Sequence, residues 1–246
     1  MLPSVTVVMF NTSNIQSYAS LAASINRRYC ETHNYRFIHE IYDNVELEPS
    51  HEKVKVMRRH LDDGSDYVCW IDSDACFINF TSKLADFCQS GKDLVIAGHD
   101  FGFDLMGERL RYRVNGSPCG LNGGVMLVRN SAWTRIFLDE WWQRCVRGDK
   151  IPTSFWEQGH LQNMFLFNTL NIQQHTDLVV PCSRLNRCDD NHTDICEFIL
   201  HLWGTSTEVR QQIFGQIAQG IHPDVTTEMP FFNVISSLIV LPNVSD

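Results

Sequence analysis

The chain has 246 residues, of which 43% are hydrophobic, 11% aromatic and 20% charged. That length and composition suit one large globular domain, with room for a small appendage, and exclude a disordered chain. The net charge of −9 excludes a general nucleic-acid surface, which would be basic. An anionic small molecule would need local basic groups or a metal to bind against that field.

In chain order, Ser4–Phe10 is a β-rich apolar run that ends at Asn-Thr-Ser-Asn, a turn-and-cap cluster. Tyr18, Leu21, Ala22, Ile25, Arg28 and Tyr29 follow at i, i+3, i+4, i+7 spacing, the mark of an amphipathic helix. Tyr35–Tyr42 alternates like a second strand, and the charged segment His51–Leu61 reads as a second helix. Asp66–Ile71 is a buried strand-like run, Asp93–Ala97 another, and Gly123–Val128 the next. Trp133–Val146 carries Trp133, Ile136, Phe137, Glu140 and Trp141 at helical spacing. Glu157–Phe167 is a further helix, Glu197–Leu202 a late strand and Thr205–Ile217 a last helix. Leu105–Pro118, with Arg109, Arg111 and Arg113, reads as a mobile loop.

Alternation of strand and helix predicts an α/β fold: one mostly parallel central sheet with helices on both faces. Ligands in such sheets bind beyond the carboxyl ends of the strands. Asn11, Asp72-Ser73-Asp74 and His201 all fall at predicted strand ends, so they are expected to converge.

The opening MLPSVTVVMF lacks the basic and long apolar regions of a signal peptide, and FFNVISSLIVLP near the end is too short to span a bilayer. The expectation is a soluble protein, cytoplasmic, with a Golgi-lumenal domain whose anchor has been removed as the alternative. Nine cysteines fit a reducing compartment. Cys69 and Cys76 read as buried thiols, while Cys182, Cys188 and Cys196 match no zinc spacing and would pair only under oxidising conditions. Five Asn-x-Ser/Thr sequons matter only if the chain is secreted.

YVCWIDSDACFIN, Tyr67–Asn79, ends an apolar run in two carboxylates. Carboxylates two residues apart just past a buried strand can point into one crevice and hold Mn²⁺ or Mg²⁺ against a phosphate. On its own the D-x-D reads first as a capped turn, with Asp72 accepting backbone N–H groups and Asp74 starting an Asx turn, and only its context favours the metal reading. Downstream lie LNGGVMLVRNSAW at Leu121–Trp133, FWEQGHLQ around Glu157-Gln158, and HLWG at His201–Gly204.

In that order these motifs resemble the GT-A fold nucleotide-sugar glycosyltransferases, and family 34 in particular, which holds α-galactosyl-, α-mannosyl- and α-xylosyltransferases. WIDSDACF matches the family's W-(I/V)-D-S-D-A-L-F-like segment, and LNGGVMLVRN matches its most specific block. His51 and Lys53 match a helix start more loosely. The resemblance covers Val5 to Gly204. It implies a retaining, metal-dependent transfer of a hexose or pentose from a nucleotide sugar, expected to be a UDP-sugar, to a carbohydrate acceptor. By the same resemblance Asp74 and His201 are metal ligands, and Asp72 is a ligand shared with the ribose. Lys53 lies near the diphosphate, and Asn11 and Thr12 near the base or ribose. Ser73, Asn122, Gly123, Gly124 and Gly204 lie along the donor. Glu157 and Gln158 lie beneath the reacting carbon, Glu157 as nucleophile in a covalent route or Gln158 as charge stabiliser in a front-face route. The division expected is a catalytic domain over 1–220 and a tail over 221–246 that packs on the domain or, in a homodimer, on a second subunit.

One departure stands out. The family carries a basic residue soon after His-x-x-Gly to grip the β-phosphate, whereas here Gly204 is followed by Thr-Ser-Thr-Glu and the next cation is Arg210. Arg210, Lys53 or a loop arginine would have to serve instead. The rival readings are a catalytically inactive nucleotide- or sugar-binding protein on the same fold, a haloacid-dehalogenase-type D-x-D phosphohydrolase, and an interaction protein using Trp141-Trp142 and the apolar tail. Cys76 stands where the phosphohydrolase pattern wants Thr or Val, and helical spacing makes the tryptophans packing residues.

Overall fold

A computed structural model describes residues 2–99, 120–148, 156–179, 182–186 and 198–220, with the two-residue strands 102–103, 109–110, 113–114 and 117–118. The expected tail, most of Leu105–Pro118, and Cys119, Cys188 and Cys196 lie outside the described residues.

The elements in order are β1 (Val5–Asn11), α1 (Gln16–Thr32), β2 (Arg36–Ile41), α2 (Glu52–His60), β3 (Tyr67–Ile71), β4 (Ala75–Phe77), α3 (Leu84–Phe87) and β5 (Leu94–His99). The short β6 (Gly102–Phe103), β7 (Arg109–Leu110), β8 (Arg113–Val114) and β9 (Ser117–Pro118) follow. Then come β10 (Gly120–Arg129), α4 (Ala132–Arg147), α5 (Trp156–Leu166), α6 (Ile172–His175), β11 (Thr176–Val179), β12 (Ile199–His201) and α7 (Thr207–Ala218).

Six strands form the central sheet in the order β11-β5-β10-β3-β1-β2. The β1–β2, β1–β3 and β5–β11 pairings are parallel, and β10 is antiparallel to both β3 and β5. The sheet is therefore mostly parallel, as expected, with β10 alone reversed. β12 does not join it: it pairs antiparallel with β4 in a two-stranded sheet beside the carboxyl ends.

Period-2 alternation explains the two cores. On β1, Val5, Val7 and Met9 face one cluster and Val8 and Phe10 the other; on β3, Tyr67, Cys69 and Ile71 separate from Val68 and Trp70 in the same way. The first cluster is covered by α1 and α7, with Ala22, Ile25, Tyr29, Ile213, Phe214 and Ile217. The second is covered by α2, α4 and α5, with Val54, Met57, Phe137, Trp141 and Leu161. Trp141 is fully buried and its indole N–H donates to the Glu157 carbonyl at 2.9 Å, tying α4 to the start of α5. Ser131 caps α4 by accepting from the Thr134 N–H, and Ser206 caps α7 by accepting from the Val209 N–H. Cys30, Cys69, Cys88 and Cys145 are buried free thiols, and Cys76 and Cys182 are buried as well. Among the described residues no helix is long and apolar enough to cross a membrane.

Candidate active site

A cavity of about 760 Å³ opens at the carboxyl ends of β1 and β3, lined by Asn11, Thr12, Lys53, Asp72, Ser73, Asp74, Asn122, Gly124, Glu157, Gln158, His201, Gly204 and Arg210 among others. Every sequence-expected site residue but Gly123 is in that lining, and Gly123 sits between two residues that are. The convergence follows from topology, because β1, β3 and β12 all end there.

The turn after β3 is closed by main chain. The Ala75 N–H donates to the Asp72 carbonyl at 3.0 Å, and the Asp72 N–H donates to the Gly124 carbonyl at 2.8 Å. Ser73 is fixed by its hydroxyl donating to the Phe10 carbonyl at 2.6 Å. The Asp72 carboxylate accepts the Trp70 indole N–H at 2.6 Å and lies 3.1 Å from the Lys53 ammonium. Burial pushes the Asp72 carboxyl upward and outweighs the Lys53 and His201 charges that oppose it. Burial also acts against ionised Asp74, but there His201 and Arg210 win and hold it at about 2. His201 Nε2 stands 3.2 Å from Asp74 Oδ1 and 3.8 Å from Asp72 Oδ2.

Asp72, Asp74 and His201 each offer a ligand atom, all within 4.8 Å of one another. Two hard carboxylate oxygens and an imidazole nitrogen suit a divalent ion such as Mn²⁺ or Mg²⁺. The His201 ring is buried with Nδ1 lacking a hydrogen-bond partner among the described residues, so Nε2 is the atom turned to the carboxylates. The donor set fits such an ion.

β10 frames this cluster. Its register against β5 slips between Asn122 and Met126, a bulge of the kind that re-aims groups beside active sites. The Gly123 N–H donates to Gln158 Oε1 at 2.7 Å, and its carbonyl accepts from Lys53 at 3.1 Å. At Gly124 any side chain would displace the His201 ring, since a Cβ would lie 2.0 Å from His201 Cε1. Asn122 Oδ1 accepts from the Gly124 N–H at 2.9 Å and from the Asn186 amide at 3.2 Å. Asn11 is buried and bonded to the Thr12 carbonyl, Gln16 and His39.

Lys53 lies at the centre of a buried charge triad, 2.7 Å from Glu157 Oε1 besides its contact with Asp72. Burial disfavours its charge, yet the two carboxylates overrule that and raise its pKa. Sequence reasoning missed Trp70 and Tyr18 as site residues and named Arg210 only as a substitute cation. Arg210 Nη2 lies 3.0 Å from Asp74 Oδ2, its Nε donates to the Leu202 carbonyl at 3.2 Å, and its guanidinium lies over the Tyr18 ring at 5.0 Å. Trp70 was legible in principle, being part of the motif. Tyr18 sat in a helical pattern that signals only a packing face.

Comparison with known structures defines the class: this is the GT-A fold of glycosyltransferases. A glycosyltransferase involved in the glycosylation of the major capsid of PBCV-1 superposes with a TM-score of 0.63 at 16% identity, covering 87% of this chain and all of that one. The galactosyltransferase LgtC, solved with donor and acceptor sugar analogues, gives a TM-score of 0.51 at 15% identity over 89% and 96% of the two chains. Residues 3–96 and 104–210 match the model of the galactosyl transferase GMA12/MNN10 family, and the chain belongs to that family. Galactomannan galactosyltransferase 1 of Cyamopsis tetragonoloba is 34% identical over 119 residues, which is 46% of this chain and 25% of that protein. Probable glycosyltransferase 6 of Oryza sativa subsp. japonica is 31% identical over 121 residues, or 46% and 22%. The alignments thus span a quarter or less of these curated relatives.

Proposed function

We propose that this protein is a metal-dependent, retaining glycosyltransferase that moves a hexose or pentose from a nucleoside-diphosphate sugar, a UDP-sugar, to a glycan or glycoconjugate acceptor. The observation that carries the reading is the Asp72–Asp74–His201 cluster facing the cavity at the carboxyl end of β3. Asp72, Asp74 and His201 would hold Mn²⁺ or Mg²⁺, and such an ion, once bound, neutralises the diphosphate as it departs.

The chain's own groups divide the remaining work. Asn11 and Thr12, beyond β1, would meet the nucleoside, and the Asn122-Gly123-Gly124 backbone lets the donor sugar approach without a side chain in the way. Glu157 is pinned by Lys53 at 2.7 Å, which weakens it as a nucleophile and makes it an anchor for α5. Gln158 then has the catalytic role. The Gly123 N–H occupies one lone pair of its amide oxygen, and the other remains to stabilise positive charge at the anomeric carbon in a front-face departure. Trp156 and Trp203, exposed by 61% and 37% and both lining the cavity, would give the acceptor sugar an apolar platform.

The equilibrium test is UDP binding, followed calorimetrically with Mn²⁺ and with chelator. Wild-type protein should bind UDP only with the metal, and Asp74→Ala should lose that dependence together with at least ten-fold in affinity. An Asp74→Ala protein that binds UDP and Mn²⁺ as the wild type does would remove Asp74 from the site.

A further inference from the structure

We propose that Arg210 is a built-in cation that occupies Asp74 until a divalent metal displaces it, and that the freed guanidinium then takes the diphosphate of the donor. Metal and nucleotide would thereby bind as a coupled pair. The inference rests on the donor-site reading above and concerns how that site is regulated.

The geometry supplies the first half. Arg210 Nη2 stands 3.0 Å from Asp74 Oδ2, and the two side chains are only 15% and 18% exposed, so the pair is largely shielded from water. On its other side Asp74 faces His201 at 3.2 Å. A cation entering among Asp72, Asp74 and His201 therefore competes with a guanidinium already bonded to one of its ligands. It also meets like-charge repulsion in a site of low dielectric.

The second half follows from what the cavity offers a diphosphate. Of the described cations lining it, Lys53 is 4% exposed and contacts Asp72, Glu157 and the Gly123 carbonyl, one partner for each of its three N–H donors. Turning it to a ligand would strand a buried carboxylate. Arg210 is free of that constraint. It carries five N–H donors in a planar fork suited to phosphate, and it can leave Asp74 while its Nε keeps the Leu202 carbonyl. It reaches the cavity from α7, whereas the Thr-Ser-Thr-Glu after Gly204 offers no cation. A diphosphate lying between the metal and Arg210 turns their repulsion into two charge-assisted contacts. Linkage then requires each ligand to raise the other's affinity by the same factor.

The test compares wild type with Arg210→Ala and Arg210→Gln. The Gln variant keeps most of the length and a donor for Leu202 while removing the charge. Binding of Mn²⁺ alone, and of UDP or GDP at saturating Mn²⁺, is measured by calorimetry. The expected signature is a reversal of sign: Mn²⁺ alone binds roughly 3- to 10-fold tighter in both variants, while the nucleotide binds roughly 10- to 100-fold weaker. Any pattern other than these opposite shifts overturns the role given to Arg210; weakening of both ligands together would mark it as a packing residue. Wild-type protein that binds neither UDP nor GDP at any Mn²⁺ concentration would overturn the donor-site reading, and this proposal with it.

Discussion

Gly124 holds the Asp72–Asp74–His201 cluster in shape by having no side chain. The His201 ring lies where its Cβ would be, and an approach of 2.0 Å means that something must shift to admit a side chain. Gly124→Ala should push His201 away from Asp74 and weaken Mn²⁺ binding by roughly 10- to 100-fold, the range seen when the orientation of a ligand is disturbed. Titrating Mn²⁺ into the variant, with its melting temperature recorded alongside, checks this; unchanged affinity would show that His201 is no ligand. At this scale much of the candidate site was legible in the sequence. Asp72, Asp74, Asn122, Gly124, Gln158 and His201 belong to short motifs whose order the fold preserves. Arg210 and Tyr18 carry no motif. Arg210 meets Asp74 across a separation of 136 residues, and no local pattern encodes such a pairing.

Between elements, the buried Lys53 joins α2 to α5 and to the turn after β3. Both carboxylates depend on it, since Glu157 is 5% exposed and Asp72 is 26% exposed in the site. Removing one partner of a buried pair costs about 3–5 kcal/mol because the other charge is left without compensation. Lys53→Met should therefore lower the melting temperature by roughly 6–20 °C, and adding Glu157→Gln should recover part of the loss. A Lys53→Met protein that melts with the wild type would show that the triad carries little energetic weight. The strands and helices were mostly readable from their periods, but their directions were not. A period of 2 is the same for parallel and antiparallel strands, so nothing in LNGGVMLVRN announces that β10 runs against its neighbours. β11 went unread because Thr176–Val179 is a short edge strand, half of it only partly buried, and β12 was read as a strand without any sign that it pairs with β4 outside the main sheet.

For the whole molecule, a chain of net charge −9 encloses a cavity whose described cations, Lys53 and Arg210, are both paired with acidic groups. On the function proposed here, such a site would take up an anion only together with a metal, so metal dependence is the property to test first. The most direct measurement is the release of free nucleoside diphosphate from a panel of UDP- and GDP-sugars, in Mn²⁺ and in chelator. The expected result is release from a UDP-sugar in Mn²⁺, increased by a suitable glycan acceptor and abolished by chelator. Release that proceeds equally well in chelator would contradict it, as would metal-dependent binding of UDP with no release from any donor across an acceptor series.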